Sequence, residues 1–404
     1  MTPVTLALSV LNASGQPTDL GIVMATQIVP QLILLLAGGA IGDRFPRRLV
    51  LCLSNLGAGL TQAGVAVLLI SGHYNLAAVA SLSAMNGAIT AFSSPALTGV
   101  LPELVAAGDI QRANSLLATS QNAARVFGPT AGGLLVVSIG GGWAIALDAL
   151  SYLIAAAFFT RLPAQRLASL SSRATAPRPG MIADIAEGWR AYRAIGWLMA
   201  MSVAYFFLNM VNVGPWQILG PELTRQHGSE AAWGIVLSVR AIGLLVMSVA
   251  MYRLTFKRPL RDSSLIGVIA ALPLLGLGLG VPVPALAACA FVGALGFSAK
   301  GVAYDSVLQT HVPKNVLSRI SSIDDLLSFA AVPIGELLTG PSASHFGART
   351  VALCCGVIYA VATLAPLASR SVRSVRNLTV PEDTEGPDAR AEPKAEQPTT
   401  ADQL

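Results

Sequence analysis

What most limits this chain's choice of fold is the length of its apolar runs. From Leu20 to Ala368, stretches of roughly 18 or more apolar residues, enough to cross a bilayer as a helix, follow one another between short polar breaks. In hydrocarbon a backbone N–H or C=O finds no water. A crossing segment must therefore close its hydrogen bonds within itself, and a helix does so. Charge agrees with this. Asp, Glu, Lys and Arg make up 12% of the residues, against about 25% in an ordinary soluble domain. The chain reads as an all-α membrane protein.

Full spans are expected at Leu20–Gly42, Leu49–Ile70, Leu76–Leu97, Ser120–Ile139, Trp143–Thr160, Ile195–Ile218, Ala231–Met251, Ser264–Leu279, Pro284–Tyr304, Ile323–Leu338 and Thr350–Ala368. Ahead of them only Thr2–Leu11 precedes the polar turn Asn12–Asp19. About ten residues rise roughly 15 Å as a helix, half of a hydrocarbon core of about 30 Å. The first helix of twelve is therefore expected to be truncated, with the native start upstream of Met1.

The basic residues set the expected topology. If the Leu20–Gly42 span runs inward, 21 of the 26 Lys and Arg fall in inner loops or the tail. Outer loops hold Arg225 and Arg349, and the spans hold Arg125, Arg240 and Lys300. Such asymmetry is the positive-inside pattern, with the C-terminus in the cytoplasm. The longest inner segment, 161–194, is rich in Ser, Ala, Pro and Arg and then amphipathic from Met181 to Arg190. That second part is expected to lie on the inner surface. It separates an N-terminal six-helix half, 1–160, from a C-terminal one, 195–368. Residues 369–404, rich in Pro, Glu and Thr, are expected to form a disordered cytoplasmic tail.

Several function classes drop out. The net charge of +5 is accounted for by topology, so no nucleic-acid partner is expected. Cys52, Cys289, Cys354 and Cys355 sit in spans without zinc-ligand spacing, and the four His are far apart. Neither a metal nor a cofactor is expected. There is no phosphate-binding loop of the G-x-x-x-x-G-K-[ST] type and no nucleophile–base constellation, so the chain reads as a non-enzyme.

Two blocks carry more information. Between the spans ending at Gly42 and starting at Leu49 stands Gly39-Ala-Ile-Gly-Asp43-Arg44-Phe-Pro-Arg47-Arg48. Gly39 permits a close helix approach, Asp43 can cap or clamp, and Arg44, Arg47 and Arg48 hold the turn inside. In the span ending at Ile139 stands Gly128-Pro129-Thr-Ala-Gly132-Gly133, where Pro129 removes a backbone bond and the glycines allow helix contact. The first block resembles the G-x-x-x-D-R-x-x-R-R/K signature of the major facilitator superfamily. The second is similar to the G-P-x-x-G-G core of that family's antiporter motif, with Ala124 where the family has a further Gly. Weaker likeness to the enterobactin-exporter and macrolide-efflux branch runs through Leu101-Pro102, Arg112 and Asn114, Leu147-Asp148, Leu317-Ser318-Arg319, Pro333 with Gly335, and Gly340-Pro341. The arginine frequent in the fourth helix of drug–proton antiporters is absent, its place being taken by Ser83.

The resemblance implies the major facilitator fold, with helices 2, 5, 8 and 11 meeting between the halves and 1, 4, 7 and 10 lining a cavity. Ionisable groups within spans are expensive and mark function. Glu336 and Arg240 are expected to form a proton-coupling pair, and Asp148 is a further candidate or a locally satisfied acid. Asp324 and Asp325 are expected at the start of the eleventh helix, where acids suit the positive helix end. Substrate-cavity candidates are Asn86 and Thr90, then Tyr205, Asn209 and Asn212, then Lys300 and Tyr304; Asn and Thr there serve equally as interhelical glue. The expected function is proton-coupled export of a small amphipathic molecule by alternating access, in the bacterial cytoplasmic membrane, as a monomer. Its partners would be lipid, a small-molecule substrate and protons. The alternative is a non-transporting sensor or scaffold of the same fold.

Overall fold

The computed structural model describes residues 6, 9–10, 17–161, 181–225 and 230–377. Among them every regular element is helical. The expected truncation of the first helix falls mostly, and the expected disorder of the tail largely, outside the described residues.

The first half contains α1 (Pro17–Arg44), α2 (Arg47–Ile70), α3 (Leu76–Thr90), α4 (Ser93–Leu104), α5 (Ile110–Ile139) and α6 (Gly141–Thr160). The amphipathic segment forms α7 (Met181–Ala194). The second half contains α8 (Gly196–Arg225), α9 (Glu230–Ala250), α10 (Pro259–Gly267), α11 (Leu272–Leu279), α12 (Val283–His311), α13 (Leu317–Phe329), α14 (Ala331–Phe346), α15 (Ala348–Leu364) and α16 (Arg370–Ser374). A short 3-10 turn joins α10 to α11, so the two make one crossing. Likewise α3 with α4, and α13 with α14, each make one crossing.

Ten of these crossings are long and apolar enough to span a bilayer, with mean hydropathy from 1.2 to 2.1. The expected span ending at Ile139 is not among the ten. Its helix α5 is 30 residues long, but its first half carries Gln111, Arg112, Asn114, Thr119 and Asn122. All but Arg112, which pairs with Asp109 of its own half, bond to the other half instead of facing lipid. Asn114 Nδ2 reaches Ser306 at 3.2 Å and Gln309 at 3.0 Å. Thr119 donates to Ser248 at 3.1 Å, and Asn122 to the Leu244 carbonyl at 3.3 Å.

Two expected spans are longer than drawn, and broken. The crossing from Leu76 runs to Leu104, with a break at Ala91–Phe92. The crossing drawn from Ile323 starts at Leu317 and runs to Phe346, with a break at Ala330. The cause is the same in both. Pro95 and Pro333 are each the third residue of the second piece. A proline there lacks the N–H that would continue the preceding helix, yet fits the first turn of a new one. Asp324 and Asp325 consequently sit in the interior of α13, not at its start.

The halves meet where α1 packs on α13, α4 on α12 and α13, and α5 on α9 and α12, while α7 lies across α1 and α13. Behind the α13 seam, Tyr192 of α7, Leu198 and Met201 of α8, and Leu317 and Ile320 of α13 share one core. Within the second half, α8 and α14 touch through their backbones. A Cβ on Gly335 would overlap the Met210 carbonyl. Such overpacking costs about 1–3 kcal/mol. Gly335→Ala should lower the midpoint of thermal unfolding of the detergent-solubilised protein by several degrees. Gly340→Ala, on the same helix with open space at its Cβ, should leave it unchanged. Equal midpoints for the two variants would refute this packing.

Candidate functional site

Two features meet at the seam between the halves: a polar latch at the end rich in arginine, and a cavity above it.

The latch is centred on Asp43, at the C-terminal end of α1, whose side chain is fully buried. One carboxylate oxygen accepts from the Ser318 backbone N–H at 3.1 Å, the other from the Arg319 N–H at 3.1 Å. These are unsatisfied donors of the first turn of α13, where the helix dipole is positive. Arg319 Nε at 3.2 Å and Arg47 Nη2 at 3.3 Å complete the shell. A buried carboxylate is costly unless so surrounded. The acid that serves the α13 N-terminus therefore comes from the opposite half, and not from Asp324 or Asp325.

The C-terminal end of α4 is served in the complementary way. Its last carbonyls lack intrahelical donors and carry the negative end of the dipole. One turn before them Arg47 donates to the Gly99 carbonyl at 2.5 Å, and it reaches Glu103 Oε1 in the last turn at 2.6 Å. Its other nitrogen crosses the seam to the Lys314 carbonyl at 2.5 Å, while Lys314 Nζ returns to the Pro102 carbonyl at 2.6 Å. Arg44 pairs with Asp184 of α7, and Arg319 with Glu187 of α7 at 2.8 Å. Arg48 is half-buried on the first turn of α2. Gly39 admits the contact, because a Cβ there would lie 2.8 Å from the Ser318 carbonyl and collide with Ser322.

Above the latch lies a cavity of about 590 Å³ between the halves. From the expected set it gathers Tyr205, Asn209 and Asn212 of α8, Arg240 of α9, and Lys300 and Tyr304 of α12. It does not gather Asn86 or Thr90. The Asn86 amide donates to Thr61 Oγ1 at 2.9 Å and accepts from Gln27 at 3.3 Å, tying α3 to α2 and α1. The Thr90 hydroxyl turns back onto the Asn86 carbonyl at 2.9 Å.

The expected pair of Glu336 with Arg240 does not form. Glu336 is exposed on α14. Arg240 instead lies 5.4 Å from the Trp216 ring and 6.0 Å from that of Phe297. Asp148 is buried in α6 away from the cavity lining, and Ser151 donates to its backbone carbonyl at 2.7 Å. Of the Gly-Pro block, Gly128 and Gly132 are buried on α5; the side chains of Pro129 and Gly133 lie outside the described set.

Four charged groups of the cavity were not singled out by the sequence. These are Arg125 of α5, Asp305 of α12, and Asp324 and Asp325 of α13. Asp324 accepts from Tyr304 at 2.8 Å and from Ser202; Asp325 accepts from Ser94 of α4 at 3.2 Å. One signal was available. Lys300 and Tyr304 are four residues apart, which places two polar side chains on neighbouring turns of one face of an apolar span. Lys300 is 2% exposed, and among the described residues its ammonium has no hydrogen-bond acceptor and meets the Tyr205 ring at 4.8 Å from its centroid. Inserting such a cation costs about 2.5–3.5 kcal/mol, and a cation–π contact returns about 0.5–2 kcal/mol. The cavity thus holds a cation that the described residues do not fully satisfy.

The family model described as Major Facilitator Superfamily matches residues 1–335. The chain is similar to the multidrug efflux pump Tap of Mycobacterium tuberculosis, 28% identical over 352 residues, covering 82% of this chain and 80% of the relative. It is also similar to the enterobactin exporter EntS of Shigella boydii, 24% identical, covering 76% and 72%. Among solved structures, a bacterial homologue of the iron transporter ferroportin in an outward-facing state superposes with a TM-score of 0.68 at 16% identity, covering 91% and 99%. The proton:xylose symporter XylE superposes with a TM-score of 0.62 at 16% identity, covering 90% of each chain.

The latch makes a testable claim about charge. Asp43→Asn keeps the shape and removes the charge at the α13 N-terminus, an interaction of about 1–2 kcal/mol in a partly buried setting. A cysteine replacing Thr98 of the cavity wall, with the four native cysteines removed, should then react about 5–30-fold faster with a membrane-impermeant maleimide added on the latch side. An unchanged rate would show that this carboxylate does not hold the halves together.

Proposed function

The chain is a member of the major facilitator superfamily, and we propose that it is a secondary active exporter of small amphipathic molecules, driven by proton entry. The observation that carries the reading is the cavity between two halves that a network of hydrogen bonds and ion pairs latches at one end. Its volume, about 590 Å³, falls within the roughly 300–1,000 Å³ of small-molecule sites. Alternating access needs such a seam, polar enough to reform and break, since a continuous apolar core would not part.

On this reading the latch end faces the cytoplasm of a bacterial cell, where 21 of the 26 basic residues fall. The outward direction is carried by the names of the relatives, an efflux pump and an exporter. The proton site moves from the Glu336–Arg240 pair to the acids of the cavity floor. Asp305, Asp324 and Asp325 line the same cavity, and Asp324 and Asp325 are neighbours on α13. Asp325 touches Ser94 of the opposite half, so its protonation state acts on the seam itself.

Efflux of a dye panel from cells expressing the chain, with and without an uncoupler, tests the proposal. Uncoupler-sensitive efflux is expected, reduced by about tenfold or more in Asp325→Asn, and retained in Glu336→Gln. Loss of uncoupler sensitivity with flux intact would remove the proton. No flux for any dye would favour the non-transporting scaffold.

A further inference from the structure

The same cavity holds an unusual set of donors. Three buried side-chain donors that line it have no hydrogen-bond acceptor among the described residues: Lys300 Nζ, Trp216 Nε1 and the Tyr205 hydroxyl. Lys300 is 2% exposed and Trp216 5%. Buried polar groups are almost always hydrogen-bonded, and an exception asks for a ligand or water. The guanidinium of Arg240 stands beside them over the Trp216 ring, with no carboxylate within ion-pair range among the described residues.

The acids of the cavity are in a different condition. Asp324 is engaged by Tyr304 and Ser202, and Asp325 by Ser94. Asp305 is the acid left open to the cavity. Around Lys300, Trp216, Tyr205 and Arg240 the unmet demand is thus for negative charge and acceptor oxygens, which no carboxylate of the lining meets among the described residues. The walls between the donors are aromatic: Tyr205 lies 4.8 Å from Tyr304, centroid to centroid, and Phe297 and Trp216 flank Arg240.

We propose that the cavity takes an organic anion, a carboxylate on an aromatic or apolar body. The carboxylate sits at Lys300 and Arg240 with Tyr205 and Trp216 donating to it, and the body lies along the aromatic wall. This assignment names the substrate class of the exporter reading and rests on it for physiological meaning. The binding itself is independent of transport.

The test uses the full chain, purified into nanodiscs of neutral phosphatidylcholine so that the lipid favours neither charge. The probes are three ligands of one shape: 2-naphthoate, 2-naphthalenemethanol and 2-naphthylmethylammonium, titrated by calorimetry. The naphthoate should bind at least about tenfold tighter than either of the others, a difference of one decade in Kd. Lys300→Gln should bring the naphthoate down to the level of the alcohol, and Lys300→Arg should restore part of the preference. The wild-type ranking needs no variant, so a poorly folding Lys300→Gln leaves the test intact. The proposal is overturned if the ammonium or the alcohol binds as tightly as the naphthoate. It is also overturned if the naphthoate does not bind at millimolar concentration, or if a well-folded Lys300→Gln keeps the preference. Anion binding without efflux would sink the exporter reading alone, and dye efflux without anion preference would sink this one alone.

Discussion

A single buried carboxylate organises the closed end of this molecule. Asp43 has no exposed side-chain surface, and it sits in a chain whose spans are built to face hydrocarbon. It is tolerable only because its four bonds are all charge-assisted or aimed at a helix terminus: two backbone N–H groups of α13, Arg319 and Arg47. Three of the four come from the other half. Separating the halves therefore strands a buried charge unless water enters at once. The same logic governs Arg47, whose donors go to Gly99, Glu103 and Lys314.

The choice of residue at each helix end follows from the same electrostatics. The start of α13 presents N–H groups and meets an acid; the end of α4 presents carbonyls and meets Arg47 and Lys314. Both are outer ends of crossings that a proline interrupts further in, at Ala91–Phe92 and at Ala330. The glycines complete the arrangement. Gly39 lets Ser318 and Ser322 close on α1, and Gly99 lets the Arg47 guanidinium lie against α4. The Gly39–Arg48 block and the two broken crossings thus meet in one polar junction, beside which Leu36 and Ala118 pack on the apolar core of the second half.

Much of this was legible in the sequence, for identifiable reasons. Apolar run length fixes spans because lipid leaves no alternative backbone solution, and the drawn span Leu49–Ile70 differs from α2 by two residues at one end. The block from Gly39 to Arg48 marked the latch. Run length could not find the polar half of α5, since Asn114 and Thr119 are satisfied across the seam and a one-dimensional count reads them as loop. It also misjudged Asp324 and Asp325, because a polar pair near an apolar boundary looks like a helix start. In fact α13 begins two turns earlier, over the polar stretch Ser318-Arg319-Ile-Ser-Ser322 that packs on the other half. The pairing of Arg240 with Glu336 failed for a related reason. Opposite charges in one half invite a pair, but Arg240 finds Trp216 and Phe297 first, and the face each residue presents is a matter of helix phase that depth alone does not settle.

One helix connects the latch to the cavity. Ser318 and Arg319, held by Asp43, stand six residues before Asp324 and Asp325 on the unbroken helix α13. Six residues rise about 9 Å, and a packed helix over that distance moves as a body. A ligand or proton that changes the position of Asp325 against Ser94 therefore displaces the same helix whose N-terminus closes the other end. The break at Ala330 limits how far that displacement travels outward, because α14 begins anew beyond it. Coupling between a site and a gate requires an element that both can bias, and α13 is the element of this fold that has the latch at one end and the cavity acids in its middle.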